Sequence, residues 1–308
     1  MSESKATKQK IVTTVAEAEK IIDENFGTSR RYFYYTKLKH IDTIMHEKAF
    51  LAQRVDKFND ETEGKAFEYE GEPKELYYGL CFSAASKESI PMWYLYSGPD
   101  GRGGRIEFRS GKEMGLFYEN ATFELKKRNP KSGIFESCGI ELTKGRDITV
   151  KAGNILYIEE KEEDSNSKNI KTGNYKLKYR DEIEAVLSER ELAQFKKEAV
   201  GFYKTDLWMY EKEMRILIKL NPQIAATLDP KADYGISMSF GEAYKKMKIR
   251  FAPELQSIEE GLEGHKTLTK LYSDSRLNID KKGEFPIFEQ SKSAGKIEMH
   301  ICRNCEKK

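Results

Sequence analysis

At 308 residues the chain suits one large domain or two modest ones, and a 38% hydrophobic share with 17 Tyr, 16 Phe and 2 Trp supplies enough apolar surface for a core, which excludes wholesale disorder. Lys and Arg number 53 against 51 Asp and Glu, so a formal charge of +2 excludes a general polyanion trap and leaves a nucleic acid only a local basic groove. No apolar run approaches the ~20 residues of a spanning helix, and Cys81, Cys138, Cys302 and Cys305 are too few and irregular for a disulfide framework; both point to a soluble protein of the reducing cytoplasm with no membrane partner.

In chain order, residues 1–30 read as a polar arm and a helix in which Ile11, Val15, Ala18, Ile21 and Ile22 recur at helical spacing. Tyr32–Thr36 has the aromatic bias of a buried strand, followed by a helix with Leu38, Ile41, Ile44 and Met45 on one face. Phe50-Leu51-Ala52 predicts a second strand, Phe58-Asn59-Asp60 a loop, and Glu61–Glu75 a charged linker. Leu76–Ser83 predicts a third strand and Pro91–Leu95 a short helix or turn; Gly98–Gly104 breaks the chain before the strand at Arg105–Phe108. Thr122–Tyr157 reads as short hairpins, Glu159–Gly173 as an exposed polar loop, and Ile183, Val186, Leu187 and Phe195 as the face of a helix. A strand at Arg215–Lys219, helices around 240–247 and 258–271, and a β segment at Lys296–Ile301 complete the pattern. The expected organisation is an arm and helix over 1–30, one α+β catalytic-type domain over 31–290, and a C-terminal β segment and tail over 291–308, built on a mixed sheet with flanking helices.

Three segments stand together: Tyr35-Thr36 with Phe58-Asn59-Asp60; Phe82-Ser83-Ala84-Ala85-Ser86 with Met92-Trp93 and Gly104–Phe108; and Trp208–Arg215. In this order and spacing, from about Tyr32 to Leu220, they resemble the bacterial domain-of-unknown-function family numbered 2971. The layout is also similar to the ADP-ribosyltransferase superfamily, whose sites combine an aromatic, His or Arg residue on a first strand, a Ser-x-Ser or Tyr element on a second, and a Glu on a third. That resemblance implies a split-sheet core, NAD as co-substrate and a role as a toxin or phage-defence effector. It places Tyr35 and Thr36 first, Ser83 and Ser86 second, and Glu213 third. This chain has no His or Arg on the first strand, and its serines are more widely spaced than usual.

Cleaving the nicotinamide glycosidic bond builds positive charge on the ribose, which a fixed carboxylate stabilises; Glu213 is the candidate, with Glu211 orienting or deprotonating the acceptor from the same strand face. Both glutamates read equally as surface partners of Lys212, Arg215 or Lys219. Trp93 and Trp208 suit stacking on a base or a place in the core, Tyr35 and Thr36 a ribose contact or packing, and Arg105, with Arg102, a diphosphate or a turn. Asn59-Asp60 is also ordinary turn chemistry. His300, Cys302 and Cys305 supply half of a zinc site, so no metal is expected. The expectation is ADP-ribose transfer from NAD to an RNA or protein acceptor, with an antitoxin or regulatory protein as a further partner. The alternatives are a non-catalytic nucleotide or nucleic-acid binding module, and a nuclease using Asp60, Glu61, Glu211 and Glu213.

Overall fold

The computed structural model describes residues 10–12, 14–23, 26, 30–85, 88–97, 103–159, 175–179, 183–253, 255, 257–277 and 286–291. The chain opens with β1 (Lys10–Val12) and α1 (Val15–Asp23), then β2 (Tyr32–Lys37), α2 (Leu38–Glu47) and β3 (Ala49–Arg54). The stripe Leu38, Ile41, Ile44 and Met45 buries α2, which ends where Lys48 turns left-handed at φ 52°. A loop leads to α3 (Glu61–Tyr69), where Asp60 caps the helix by accepting from the Thr62 backbone N–H. There follow β4 (Tyr77–Ser83), α4 (Ile90–Tyr96), β5 (Gly103–Phe108), α5 (Gly111–Asn120), the hairpin β6 (Phe123–Arg128) and β7 (Phe135–Leu142), β8 (Ile148–Asn154), β9 (Leu156–Ile158) and β10 (Tyr175–Tyr179). Next come β11 (Ile183–Leu187), α6 (Glu189–Glu198), β12 (Tyr203–Thr205), a 3₁₀ turn at Asp206–Glu211 and β13 (Glu213–Leu220). The described chain closes with α7 (Pro222–Ala225), β14 (Tyr234–Ser239), β15 (Lys248–Phe251), α8 (Ile258–Leu262), α9 (Lys266–Leu277) and β16 (Ile287–Gln290).

The strands form two mixed sheets, so the α+β reading with a mixed sheet and helices holds. Among the described residues the larger has eleven strands in the order β16-β15-β5-β2-β4-β3-β14-β6-β7, with β13 and β8 joined through β4. The smaller has the order β1-β11-β10-β9-β12. The chain passes from the large sheet to the small one at Ile155, between β8 and β9, and returns between β12 and β13. What positions the site is a fork at β4. One edge of β4 pairs with β13 along its whole length, from Tyr77 opposite Lys219 to Ser83 opposite Glu213. The other edge is divided: β3 pairs at Tyr78 and Gly79, while β2 pairs only through Phe33 opposite Ser83. Between those points β2 and β3 part, and a cleft opens over Leu80–Phe82.

The main core lies along the large sheet, with Phe50 meeting Phe82 and Phe117 at 5.5 Å. A second core joins α1, α6 and the small sheet to the opposite face, where Leu217 of β13 meets it. Several local expectations change. Ile11 lies in β1, paired in parallel with β11, and the helix begins at Val15. The charged stretch after Asp60 is the helix α3, anchored by fully buried Phe67 and by Glu63, which turns inward to buried cations. Ile183–Leu187 is a strand: it pairs with β10, and the Ser188–Glu191 capping box starts the helix only afterwards. Residues 241–246 form a 3₁₀ turn, and the helix expected over 258–271 is broken into α8 and α9, with Gly264 left-handed between them at φ 79°. The expected loop beyond Glu159, the segment Lys296–Ile301, Arg102 and the residues His300, Cys302 and Cys305 lie outside the described residues. Among the described residues no helix is long and apolar enough to cross a membrane.

Candidate active site

The cleft at the fork has a volume of about 360 Å³ and is walled by β2, β3, β4, α4 and the 3₁₀ turn before β13. At one end sits a desolvated ion cluster. Lys204 Nζ lies 2.7 Å from Glu211 Oε2, 2.7 Å from Glu213 Oε2 and 3.0 Å from Glu63 Oε1. Arg215 Nε donates to Glu213 Oε1 at 2.7 Å, its Nη2 meets Glu63 Oε2 at 2.5 Å, and its Nη1 donates to the Gly201 carbonyl at 2.8 Å. Tyr96 donates its hydroxyl proton to Glu211 Oε1. All five charged residues are buried, and three carboxylates face two cations.

Local backbone geometry makes this convergence possible. Glu211 ends the 3₁₀ turn, Lys212 is left-handed at φ 46°, and Glu213 begins β13, so a turn brings the two glutamates to one ammonium. A continuous strand with period-two side chains, the sequence-based reason for pairing them, is absent at Glu211. The turn is fixed on both sides: the Ala84 N–H donates to the Lys212 carbonyl at 2.8 Å, and the Glu213 N–H donates to the Tyr157 hydroxyl at 2.9 Å. Gly201 presents its carbonyl to Arg215 from φ 83°, where an added Cβ would lie 2.9 Å from both Phe67 and Leu217.

The environment separates the two carboxylates chemically. Burial pushes the Glu211 carboxyl up; Lys204 opposes the shift and the Glu213 charge adds to it. Burial also works against ionisation of Glu213, but Arg215 and Lys204 outweigh it and hold that carboxyl well below the usual range. Lys204 is itself desolvated, yet Glu213, Glu63 and Glu211 keep its ammonium protonated far above the ordinary lysine value. Two carboxyl groups in one cleft with opposed proton affinities divide naturally into a fixed anion and a proton carrier.

The sequence-derived residues meet this site unevenly. Tyr35, Thr36 and Ser83 line the cleft with Glu211 and Glu213. Ser83 is 3% exposed, and its buried Oγ has no hydrogen-bond partner among the described residues. Thr36 Oγ1 is 3.1 Å from His40 Nδ1. Tyr35 faces two ways, because its hydroxyl accepts from Arg105 Nη1 at 2.9 Å and its ring meets Trp93 edge-on at 5.0 Å. Trp93 and Arg105 stand behind Tyr35 rather than on the cleft wall. Arg105 is 1% exposed, lies 4.1 Å over the Phe33 ring and pairs with Glu88 and Glu107. Ser86 lies outside the described residues. Sequence reasoning missed Lys204, Glu63, Tyr96 and Cys81 as members of the site; the one legible signal is a lysine on a short strand directly after buried Phe202. Asp60 and Trp208 also line the cleft, and Trp208 lies 5.4 Å from Lys204 Nζ. Among the described residues no three His, Cys, Asp or Glu side chains are grouped to hold a metal ion.

Residues 92–216 match the family model DUF2971, described as a protein of unknown function. The match runs from α4 to the first half of β13, and so contains Tyr96, Lys204, Glu211, Glu213 and Arg215, but not Tyr35, Glu63 or Ser83. No curated protein and no solved structure matches the chain.

Proposed function

We propose that the cleft binds NAD and transfers ADP-ribose to a macromolecular acceptor, RNA or protein, in the manner of an ADP-ribosyltransferase acting as a toxin or defence effector. The observation that carries this reading is the line across the fork: Phe33 opposite Ser83 and Ser83 opposite Glu213 set side by side the three strands on which an aromatic, a serine and a glutamate were expected. Elements about 50 and 130 residues apart in the chain thereby face one cleft, with Tyr35, Thr36, Ser83 and Glu213 all on its wall.

Each group then has a physical role. In this reading Ser83 and Thr36 hold ribose or carboxamide groups. In the transfer step the ribose C1′–nicotinamide nitrogen bond breaks and nicotinamide leaves with the bonding pair. Positive charge grows on the ribose, and Glu213, kept anionic by its cations, stabilises it electrostatically. A nucleophilic atom of the acceptor forms the new bond to C1′ and passes its proton to Glu211, whose raised proton affinity makes it the better base.

Incubation of purified protein with NAD, with and without cell-derived RNA and protein, tests the reading. Release of nicotinamide supports it. Saturable NAD binding without any release under all of these conditions would instead make the chain a binding module.

A further inference from the structure

Among the described residues, Lys204 is the cation of the cluster that meets all three of its carboxylates. It belongs to β12, the edge strand of the small sheet, whereas Glu213 and Arg215 belong to the large sheet, Glu63 to α3, and Glu211 to the 3₁₀ turn between. Its ammonium reaches all three carboxylates within 3.0 Å while the residue is 8% exposed. Such a site has lost most of its hydration, and a lysine keeps its charge there only because its three partners surround it. The Lys204–Glu211 contact also closes the base of the turn that carries Trp208, so one residue ties that turn to two sheets.

We infer that Lys204 is a positioning residue: from the small sheet it holds Glu211 and Glu213 on one ammonium, and so fixes their geometry at the cleft. This rests on the transfer reading for its consequence in rate, but the effect on the two carboxyl groups is independent of it. Alternative neutralisers do not reach both glutamates. Arg215 contacts Glu213 and Glu63, and Tyr96 contacts Glu211. The other titratable groups facing the cluster are Tyr157 from β9, Cys81 from β4 and Tyr210 from the turn; Tyr157 and Cys81 have their protons held by burial and by the Glu213 charge, and Tyr210 by burial and the Glu211 charge. They stay neutral through the range in which the glutamates titrate. Lys204 is thus the one cation in contact with both candidate catalytic carboxylates among the described residues.

The test compares wild type with Lys204→Met, which keeps the stem without the charge, and with Lys204→Met/Glu63→Gln, which also removes one carboxylate and restores the original excess of one negative charge. Folding is followed by near-UV circular dichroism, the Glu211 and Glu213 carboxyl groups by ¹³C NMR titration of Glu-labelled protein, and nicotinamide release by rate against pH. If Lys204 positions the pair, the double variant folds, both carboxyl groups titrate at higher pH than in wild type, and release stays down by about 10²-fold or more with its acid limb moved upward. Recovery of release to within a few-fold, or wild-type titration of both carboxyl groups, overturns the inference, as does failure of both variants to fold, which makes Lys204 purely structural. Should wild type release no nicotinamide, the transfer reading fails, and the carboxyl titration alone still decides the role of Lys204.

Discussion

Replacing Glu213 with Gln changes one charge at nearly constant volume and separates catalysis from stability. The amide carbonyl can still accept from Arg215 Nε, now 2.7 Å from the carboxylate, but the anion on the cleft wall is gone. Loss of one electrostatic stabiliser of a transition state costs about 10²–10³-fold in rate, or roughly 2.7–4 kcal/mol. Stability should fall less than the ~3–5 kcal/mol of a broken buried pair, because Arg215 keeps Glu63 and the Gly201 carbonyl, and Lys204 keeps Glu63 and Glu211. We expect about 1–3 kcal/mol, seen as a Tm drop of a few degrees. The variant should also lose part of the acid sensitivity of wild type. The Glu213 carboxyl is lowered in the fold, so its stabilisation is present above the ordinary glutamate value of 4.5 and is lost as pH falls toward the folded value. Nicotinamide release by stopped assay, NAD affinity by calorimetry and melting from pH 3 to 8 check all three. A folded variant with wild-type release rates would refute the role of Glu213, and an unchanged pH–stability profile would refute the electrostatic account of the cluster.

Glu211→Gln should act oppositely on stability. The Glu211 carboxyl is raised in the fold, so its contribution is present below the ordinary 4.5 and is lost as pH rises through the folded value; the variant should melt higher than wild type near neutrality and lack that decline, while transfer to the acceptor slows more than nicotinamide release. Ser83→Ala removes a buried hydroxyl with no partner among the described residues, so Tm should hold or rise slightly, while NAD affinity measured by calorimetry falls about 5–10-fold, the worth of one hydrogen bond. Tyr35→Phe keeps the ring packed on Trp93 and leaves Arg105 Nη1 without its acceptor; chemical denaturation should show a loss of about 1–3 kcal/mol, and an unchanged midpoint would remove Tyr35 from the Arg105 network.

Much of the sheet was readable locally. Tyr32–Lys37, Tyr77–Ser83 and Glu213–Leu220 are strands rich in aromatic or branched residues, and α2 carries its stripe at helical spacing, because burial on a sheet or a helix face imposes a period on neighbouring residues. Where the period was sparse, reading failed. In α3 the anchors are Phe67 and the carboxylate Glu63, and a buried charge carries no apolar signal; in β11, Ile183, Val186 and Leu187 fit a helix until pairing with β10 makes them a strand.

The types of residue needed for the proposed chemistry, Tyr35, Thr36, Ser83 and Glu213, were visible in the sequence by itself, as was the α+β mixture that carries them. The company they keep was not. The fork of β2 and β3 at β4, the crossings between sheets and the left-handed turn at Lys212 together gather Lys204, Glu63 and Arg215 with the two glutamates in one buried cluster. Glu63 comes from a segment far away in the chain, and a lysine or glutamate reads as solvated until the fold takes its water away. Desolvation and convergence belong to tertiary structure, which is why the same glutamates that read as surface charges became a buried pair with opposed proton affinities.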